Sequence, residues 1–387
     1  MPSKLPIGIL GATGMVGQRY IQLLENHPWF QVTWLAASDR SSGKPYGEAA
    51  KWRLDTPMPE RIARMTVSPA EPEGAPSSSI PRVIFASIDA AFAREMEPKF
   101  AAAGHAVLSN SSAFRMAPNV PLVLPEVNAE HLHLIEEQCW RKDSGGYIVT
   151  NSNCTVMGPV LALKPLADRF GIEQIFATSM QAVSGAGYPG VPSMDILDNV
   201  VPYIASEEEK MEEELLKLLG TLEGHTVRPL AARMSASCNR VPVVDGHTVN
   251  VSVKLARPAT REEILAAWSE FRPLAGRNLP SAPAQPVEFA PEPDRPQPRL
   301  DRNRGNGMTA TVGRLRPCGV LDWKFTVLTH NTIRGAAGAT ILNAELLKSL
   351  GKLEPESTDR SNSQQRKKRI ELGDAIASGV SHLISGI

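Results

Sequence analysis

Short apolar runs alternate with amphipathic stretches through the first 150 residues. Runs of four to eight mostly apolar residues predict buried strands, whereas apolar residues at helical spacing predict helices. Predicted strands lie at Ile7–Leu10, Gln31–Ala37, Val83–Ser87, Ala106–Ser109 and Tyr147–Thr150, and predicted helices at Met15–Asn26 and Ala90–Ala103. Strands that alternate with helices predict a parallel, doubly wound sheet of the α/β class.

A glycine-rich turn follows the first predicted strand. Gly11, Gly14 and Gly17 stand three residues apart, and the helical pattern begins at Met15. Glycine lets a backbone approach a pyrophosphate, and a helix N-terminus offers unpaired N–H donors to it. The spacing GxxGxxG departs from the generic GxGxxG fingerprint, but the order strand, loop, helix still favours a dinucleotide-binding domain.

The second predicted strand ends in a polar segment, 38–42, with the sequence Ser-Asp-Arg-Ser-Ser. Asp39 would hold a ribose 2′-hydroxyl and indicate NAD, whereas Arg40 among serines would hold a 2′-phosphate and indicate NADP. We favour NADP because an arginine and several hydroxyls form charge-assisted bonds to phosphate. A solvated turn remains the alternative. Ser87, at the end of its own strand, is expected near the same ligand crevice.

A lone cysteine, Cys154, lies between the strand Tyr147–Thr150 and a helical pattern over 156–170. A thiol at a helix N-terminus faces unpaired N–H groups and the positive end of the helix dipole, which favour the thiolate. A free cysteine is more often a small buried hydrophobe. Cys154 alone therefore leaves a nucleophile and a packing role both open.

Polar groups follow at the ends of later elements. A predicted strand at 177–183 carries Gln181 and leads into the glycine-rich loop 184–190. Arg240 and His247 lie seven positions apart, on either side of a bend. A lone histidine is more often structural, but beside a thiol, an arginine and a nucleotide-binding half His247 is predicted to act as a general acid or base.

Two further charged groups have both a plain and a functional interpretation. The acidic helix predicted over 207–219 reads as a solvated face, yet Glu207 and Lys210 share one side of it and could meet a charged ligand together. Arg115 follows the strand Ala106–Ser109 in a polar turn. It is either a solvated loop charge or an anion ligand near Cys154.

The remaining patterns carry less chemistry. The Pro-, Arg- and Asp-rich stretch 279–307 predicts an excursion packed on the surface or at a subunit contact, and Val320–Leu328 predicts a strand. A helix over Thr340–Leu350 has small residues before it and is expected to pack closely on the nucleotide-binding half. Residues 352–387 predict a polar tail with a short amphipathic helix.

Composition excludes several classes of protein. Lys+Arg and Asp+Glu number 41 each, so there is no general basic field for nucleic acid or an anionic membrane. No apolar run approaches the roughly 18–20 residues of a membrane-spanning helix, and no signal peptide is recognisable. The four cysteines, Cys139, Cys154, Cys238 and Cys318, show no metal-binding or disulfide spacing. The sequence predicts a cytoplasmic protein without a bound metal.

Several motifs in chain order resemble the aspartate-semialdehyde dehydrogenase family, in its archaeal and fungal branch. The resemblance extends from residue 5 to about residue 351. The motifs are Leu10-Gly-Ala-Thr-Gly-Met-Val-Gly-Gln-Arg19, Ser152-Asn-Cys-Thr155, Gln181-Ala-Val-Ser-Gly-Ala-Gly-Tyr-Pro-Gly190, Glu207 with Lys210, Arg240 with His247, Arg295-Pro-Gln-Pro-Arg-Leu-Asp-Arg302 and His330-Asn-Thr-Ile-Arg-Gly-Ala-Ala-Gly338.

The resemblance implies a role for each matching residue. Cys154 would form a thioester, His247 would be the acid/base and Gln181 would orient the acyl group. Arg240 would bind the substrate carboxylate and Glu207 its ammonium group. Lys210, Arg115 and Asn153 would hold the phosphate. The implied NADP contacts are Gly11, Thr13, Gly14, Met15, Val16, Ser38, Arg40, Ser41, Ser87, Ser184, Gly185 and Asn343.

The implied reaction is reduction of L-aspartyl 4-phosphate to L-aspartate 4-semialdehyde and phosphate, in lysine, threonine and methionine biosynthesis. The implied architecture is a Rossmann-like NADP-binding domain, 1–152, completed by a helix at 340–351. An α+β catalytic and dimerisation domain resembling that of glyceraldehyde-3-phosphate dehydrogenase would span 153–339. A homodimer or homotetramer is implied.

Two alternatives differ in their use of the polar residues. A malonyl-CoA reductase of the same superfamily would share the loop, the cysteine and the histidine, but it would have no use for Glu207 and Lys210. A non-catalytic NADP-binding protein would not need Cys154. The presence of Glu207 and Lys210 favours the aspartyl substrate. The complete set of cysteine, histidine, glutamine and arginine argues against a non-catalytic protein.

Overall fold

The computed structural model describes residues 3–72 and 80–354. Of the predicted polar tail, the part from 355 onward, including the predicted short helix, lies outside the described residues. Within the described ranges, no helix is long and apolar enough to cross a membrane.

The first sheet is parallel and, in the described ranges, has six strands in the order β3-β2-β1-β4-β5-β6. This order, with a switch point between β1 and β4, is that of a dinucleotide-binding Rossmann fold. It confirms the predicted parallel α/β sheet. The strands are β1 Leu5–Leu10, β2 Phe30–Ala37, β3 Ser68–Pro69, β4 Val83–Ala86, β5 Ala106–Ser109 and β6 Tyr147–Thr150.

Helices cover both faces of this sheet. They pack on strand residues that are apolar on both sides, as buried parallel strands require. The helices are α1 Met15–Leu24, α2 Tyr46–Ala49, α3 Glu60–Ala63, α4 Ala90–Ala102, α5 Pro125–Asn128 and α6 Cys139–Ser144, with a 3₁₀ segment at Ala129–Glu137.

The second sheet is mixed and, in the described part of the chain, has the order β10-β7-β11-β14-β13-β12. Its outer pairs are parallel and its three inner pairs are antiparallel. Its strands are β7 Ile172–Gln181, β10 Arg233–Arg240, β11 His247–Leu255, β12 Val287–Ala290, β13 Ala310–Pro317 and β14 Trp323–Thr329, and β8 Thr221–Glu223 and β9 Thr226–Arg228 form a separate hairpin.

One face of the second sheet is covered by helices. Leu161, Leu215 and Trp268, from three different helices, share one apolar core with the strands. The helices of this half are α7 Met157–Phe170, α8 Ser193–Ile196, α9 Glu207–Leu218, α10 Arg261–Glu270 and α11 Pro298–Asp301, with 3₁₀ segments at Val183–Ala186 and Arg304–Gly307. The opposite face exposes Phe176 and Val320.

Helix α12, Gly338–Ser349, returns to the first sheet after a π-helical segment, Ile333–Ala337. It contacts α1 and β5, and its Ile341 and Leu342 belong to the core of the first half. Glu345, fully buried, lies 2.8 Å from His27. The last described helix therefore joins the nucleotide-binding half, as its small residues suggested.

The pattern over 279–307 was misinterpreted. This stretch contains β12, which pairs with β13 over Val287–Ala290 and extends the second sheet. Its prolines and arginines obscured a four-residue strand, and β13 was not predicted. The strand predicted at Val320–Leu328 begins at Trp323, because 319–322 forms a turn in which Val320 is exposed.

Candidate active site

The site lies where one end of each sheet meets. Loops that follow β1, β5 and β6 leave the carboxyl ends of the first sheet, where ligands bind in open α/β folds. Together with one end of the second sheet they enclose a cavity of about 480 Å³. The predicted residues that line it are Met15, Val16, Arg115, Asn153, Cys154, Gln181, Ser184, Gly185, Glu207, Lys210 and Arg240.

Strand register places three predicted residues at the same end of the second sheet. Gln181 ends β7 and pairs with Arg240, which ends β10. His247 starts β11, whose next residue, Thr248, pairs with Met180 of β7. Because β11 runs antiparallel to β7, its first residue lies beside the last residue of β7.

Cys154 and His247 meet across the two halves of the molecule. Cys154 Sγ lies 3.2 Å from His247 Nε2. The backbone N–H of Ala182 donates to His247 Nδ1 at 3.0 Å. Since Nδ1 accepts this bond, the proton of the neutral imidazole resides on Nε2 and faces the thiol.

Ala182 also fixes the arginine. Its carbonyl accepts from Arg240 Nη1 at 2.9 Å. Gly185 passes close above both side chains: a Cβ built there would lie 2.8 Å from Arg240 Nη1 and 3.0 Å from His247 Nε2. Only a residue without a Cβ can therefore lie this close to the imidazole and the guanidinium.

Desolvation controls the protonation of the pair. The pKa of Cys154 is raised to about 11: desolvation and then the Glu207 carboxylate raise it, while Arg115 and Arg240 lower it in part. Desolvation, followed by the positive charge of Arg240, lowers the pKa of His247 to about 3. At neutral pH both groups are uncharged, so a thiol faces a neutral imidazole.

The net shift of the Cys154 pKa is therefore upward, opposite to the direction expected from the helix N-terminus alone. Helix α7 begins at Met157, three residues beyond Cys154, with Val156 as its N-cap. Helix dipole effects fall off within the first turn. Burial of the thiol outweighs what remains of them.

Helix α9 supplies charged groups to the other side of the cavity. Glu207 accepts from Asn153 Nδ2 at 3.0 Å and from Lys210 Nζ at 3.2 Å. Gln181 Nε2 reaches the same carboxylate at 3.3 Å. Glu207 is thus held by neighbours on three elements, and it presents a negative charge beside the thiol.

Arg115 reaches the cavity from the loop after β5. Its Nη2 donates to the Asn110 carbonyl at 2.6 Å, and its Nη1 lies 3.0 Å from Glu214. Lys210 lines the same cavity. Two cations near Cys154 suit a group with several anionic oxygens.

The glycine turn has the geometry of a close backbone approach. Gly11 has φ +86°, and a Cβ there would lie 2.4 Å from the Ser87 carbonyl oxygen. A Cβ at Gly17 would lie 2.4 Å from the Gly11 oxygen, so this glycine lets α1 pack tightly on the turn. Gly14 is the N-cap of α1 and offers no side-chain cap to its N–H groups. Thr13 accepts from Gln18 through its carbonyl.

The remaining predicted cofactor residues lie outside the cavity lining. Ser38 and Arg40 are exposed and Ser41 is half-buried, all just beyond the end of β2. Asn343 is buried, and its amide donates to Asn151 at 2.6 Å and to the Val123 carbonyl at 3.2 Å. These contacts hold the segment before Cys154, so cofactor binding by Asn343 stays a prediction.

The cavity also contains residues that were not predicted. Asn331 donates to Ser184 Oγ and accepts from the Gly246 N–H, both at 2.8 Å, so it ties the glycine loop to the turn before His247. Gly335 lies against Cys154, since a Cβ there would be 2.7 Å from the Cys154 Cβ. In the sequence both residues belong to the motif His330–Gly338, to which no role was assigned. Other unpredicted lining residues are Asn110, Ser111, Ser112, Ile204, Thr332 and Ala336.

Comparison with known proteins identifies the family. The semialdehyde dehydrogenase NAD binding domain matches residues 6–135, and the semialdehyde dehydrogenase dimerisation domain matches residues 163–334. An aspartate-semialdehyde dehydrogenase of Archaeoglobus fulgidus is 52% identical over 89% of this chain and 98% of its own length. The chain belongs to the aspartate-semialdehyde dehydrogenase family. This confirms the resemblance found in the sequence.

Other family members support the same branch and fold. The relative from Schizosaccharomyces pombe is 48% identical, over 88% of this chain and 97% of its own. A crystal structure of aspartate-semialdehyde dehydrogenase with NADP from Candida albicans superposes with a TM-score of 0.83 at 43% identity, covering 90% of this chain and all of that one. The family is therefore represented among both archaeal and fungal relatives.

The charges around Cys154 predict opposite effects on its reactivity. Glu207→Gln removes a charge that raises the thiol pKa, so alkylation by iodoacetamide at pH 8 should become about threefold faster or more. Arg240→Met removes a charge that lowers it and should slow alkylation. The exposed Glu209→Gln on the same helix is the control. Peptide mapping distinguishes Cys154 from the other cysteines, and equal rates in all variants would contradict the assignment.

The close contact of Gly335 with Cys154 can be tested by adding a methyl group at Gly335. In Gly335→Ala the new methyl would press on Cys154 Cβ at 2.7 Å and its Cα at 3.1 Å. Displacement of the nucleophile should lower dehydrogenase turnover by about 10- to 100-fold. Gly319→Ala is a matched control because a Cβ there meets nothing within 4 Å. Equal steady-state turnover in the two variants would show that Gly335 does not set the thiol position.

Proposed function

We propose that this family member catalyses NADP-dependent interconversion of L-aspartyl 4-phosphate and L-aspartate 4-semialdehyde plus phosphate. The observation that carries the proposal is the 3.2 Å pair of Cys154 and His247, set in one cavity with Arg240, Glu207 and Lys210. A thiol beside a proton donor suits acyl transfer, and the surrounding charges suit an amino acid that carries an acyl phosphate.

The nucleotide-binding half fits a dinucleotide. Gly11 has a positive φ, α1 begins at the cavity, and the buried Ser87 Oγ has no hydrogen-bond partner among the described residues. Gly11, Thr13, Gly14, Met15, Val16, Ser184 and Gly185 would hold NADP, with Ser38, Arg40 and Ser41 at its 2′-phosphate. When bound, the cofactor supplies the hydride. Asn343 supports Asn151 and remains a predicted NADP contact.

Different charged side chains would bind the different charged groups of the substrate. Arg240 would bind the α-carboxylate, because its guanidinium lines the cavity and is oriented by Ala182. Glu207 would bind the α-ammonium group. Arg115 and Lys210, with Asn153, would hold the phosphate. Gln181, beside Glu207, would orient the acyl group.

In the first step Cys154 becomes acylated. The sulfur attacks the acyl carbon, a C–S bond forms, and the bond from carbon to the phosphate oxygen breaks. The proton of the thiol leaves with the phosphate, so the charges balance. The Nε2–H of His247 donates to the oxygen that becomes negative, and the flanking arginine disfavours an imidazolium.

In the second step the thioester is reduced. Hydride adds to the carbonyl carbon and gives a hemithioacetal oxyanion, again opposite His247 Nε2. Its collapse breaks the C–S bond, releases the aldehyde and returns the Cys154 thiolate, which takes one proton from solvent. A tautomer fixed by the Ala182 N–H keeps the donor aimed at the reacting oxygen in both steps.

The two alternatives account for less of the site. A malonyl-CoA reductase would leave the bonded pair of Glu207 and Lys210, 3.2 Å apart, without a ligand. A non-catalytic NADP-binding protein would not need a thiol within 3.2 Å of an oriented imidazole. The relatives of known activity also favour the aspartyl substrate.

The same family assignment extends to domains, assembly and compartment. We place the NADP-binding domain at residues 1–152 with helix 340–351, and the catalytic and dimerisation domain at 153–339. The uncovered face of the second sheet, with Phe176, Met234, Val320 and Leu321, is the proposed contact between two copies of the chain. Four free thiols suit the reducing cytoplasm.

The activity is tested by NADPH oxidation with aspartyl phosphate and with malonyl-CoA. Turnover should occur with aspartyl phosphate, and Cys154→Ala should lower it by about 10³-fold or more because no thioester can form. Cys139→Ala, which changes an exposed cysteine, is the matched control. Turnover of malonyl-CoA alone would select the reductase, and full activity of Cys154→Ala would exclude covalent catalysis.

The assembly is tested by solution mass. Phe176→Asp places a charge in the proposed apolar contact and should convert the oligomer to chains of 41.9 kDa. Phe92→Asp changes an exposed phenylalanine of the first domain and should leave the mass unchanged. Light scattering after size-exclusion chromatography measures both, and an oligomer that survives Phe176→Asp would move the interface elsewhere.

A further inference from the structure

We propose that Glu214 is a positioning residue that sets both the segment bearing the nucleophile and the phosphate-binding arginine. The inference rests on the proposed function. Glu214 lies on α9, two turns beyond Glu207, and is 2% exposed. In the sequence it ends an acidic run that reads as a solvated helix face.

The carboxylate of Glu214 joins two loops. Its Oε2 accepts from the Asn153 N–H at 2.6 Å and from Ser152 Oγ at 2.9 Å. Its Oε1 accepts from Arg115 Nη1 at 3.0 Å. One side chain therefore holds the backbone immediately before Cys154 and the arginine that faces the substrate phosphate.

The charge of Glu214 is matched by its surroundings. A buried carboxylate requires several donors or an opposite charge, and Glu214 has both. Arg115 is 8% exposed, and its Nε has no hydrogen-bond partner among the described residues. Glu214 thus fixes one edge of the guanidinium, while the arginine still lines the cavity.

Helix α9 carries four charged residues along the face that is turned towards the site. Glu207, Lys210, Glu214 and Lys217 are spaced by three or four residues, so they share that face. The first two line the cavity. Lys217 Nζ donates to the carbonyls of Arg115 and Ala117 at 2.6 and 3.1 Å, which holds the same loop by its backbone. Ligand groups and their supports therefore move as one rigid helix.

A dual positioning role has a kinetic signature. Misalignment of Arg115 weakens phosphate binding, whereas a shift of Asn153 displaces the thiol and lowers kcat. The residues proposed to hold NADP lie on other elements, so the NADP KM should not change. A role confined to stability would lower the melting temperature and leave the phosphate KM of the folded enzyme unaltered.

The test is Glu214→Gln, assayed in the direction of semialdehyde oxidation, in which phosphate is a substrate. If the amide oxygen still accepts from Asn153, its NH₂ group faces Arg115, a donor against a donor. We expect the phosphate KM to rise about tenfold or more, kcat to fall, and the NADP KM to stay within about twofold. Glu212→Gln is the control. Glu212 lies on the same helix, α9, but it accepts a hydrogen bond from the Ala236 N–H of β10 and does not line the cavity.

A double-variant cycle tests the route through Arg115. In an Arg115→Met background, Glu214→Gln should raise the phosphate KM little further, because the residue it aligns is gone. Independent, multiplicative effects would overturn the proposal. If Glu214→Gln does not fold, Glu214→Asp keeps the charge and withdraws it by one methylene, and its phosphate KM should also rise.

The outcomes separate the two proposals. A wild-type chain without phosphate-dependent NADP reduction would overturn the proposed function and this inference with it. An active wild type whose folded Glu214 variants keep the phosphate KM would overturn this inference alone.

Discussion

The contact between Cys154 and His247 depends on the relative placement of two sheets. The thiol follows the last strand of the first sheet, and the imidazole starts a central strand of the second. Their 3.2 Å separation cannot be set by either half alone. The packing and hydrogen bonding between the halves therefore serve catalysis as well as stability.

Buried polar groups supply that placement. Asn151, three residues before Cys154, donates to Asn110, to Thr340 of α12 and to the Ala336 carbonyl, and it accepts from Asn343. These bonds join the loops after β5 and β6 to the returning helix. Because an unpaired buried polar group is costly, each partner restricts where the others can lie.

A fully buried ion pair supports the wall behind the thiol. Arg334 in the π-helical segment binds Glu126 through two bonds of 2.8 and 2.7 Å, and neither side chain has any exposure. Loss of one partner of such a pair costs about 3–5 kcal/mol, whereas the intact pair adds little net stability. Its value here is geometric, since it fixes the segment in which Gly335 touches Cys154.

Much of the fold followed from local pattern. Five strands of the first sheet and helices α1 and α4 were recognisable because buried parallel strands are short continuous apolar runs, separated by amphipathic helices. The two-residue strand β3, Ser68–Pro69, was not predicted. The second sheet was less predictable: β12 is four residues long within a proline-rich stretch, and β13 carries arginines on its exposed side. Short edge strands owe their existence to partners, which sequence spacing does not reveal.

The residues of the site were likewise predictable only in part. The residues proposed to touch the substrate stood in recognisable motifs, whereas Glu214 was hidden in an acidic run and Asn331 in a motif without an assigned role. Glu126 and Arg334 are 208 residues apart, a spacing that carries no local signal. Groups that position other groups are identified by burial and by their partners, and both require coordinates.

The thiol shows how burial can reverse a local argument. Proximity to a helix N-terminus predicted a lowered pKa, but the enclosed cavity raises the pKa of Cys154 to about 11. A neutral thiol beside a neutral Nε2–H imidazole carries no buried ion pair that would have to be stabilised before substrate binds. In the proposed mechanism charge would develop only as the C–S bond forms, at an oxygen that accepts from the His247 Nε2–H, whose tautomer the Ala182 N–H fixes. The same desolvation that suppresses the free thiolate strengthens that hydrogen bond, so the cost to the nucleophile and the gain at the oxyanion have one physical origin.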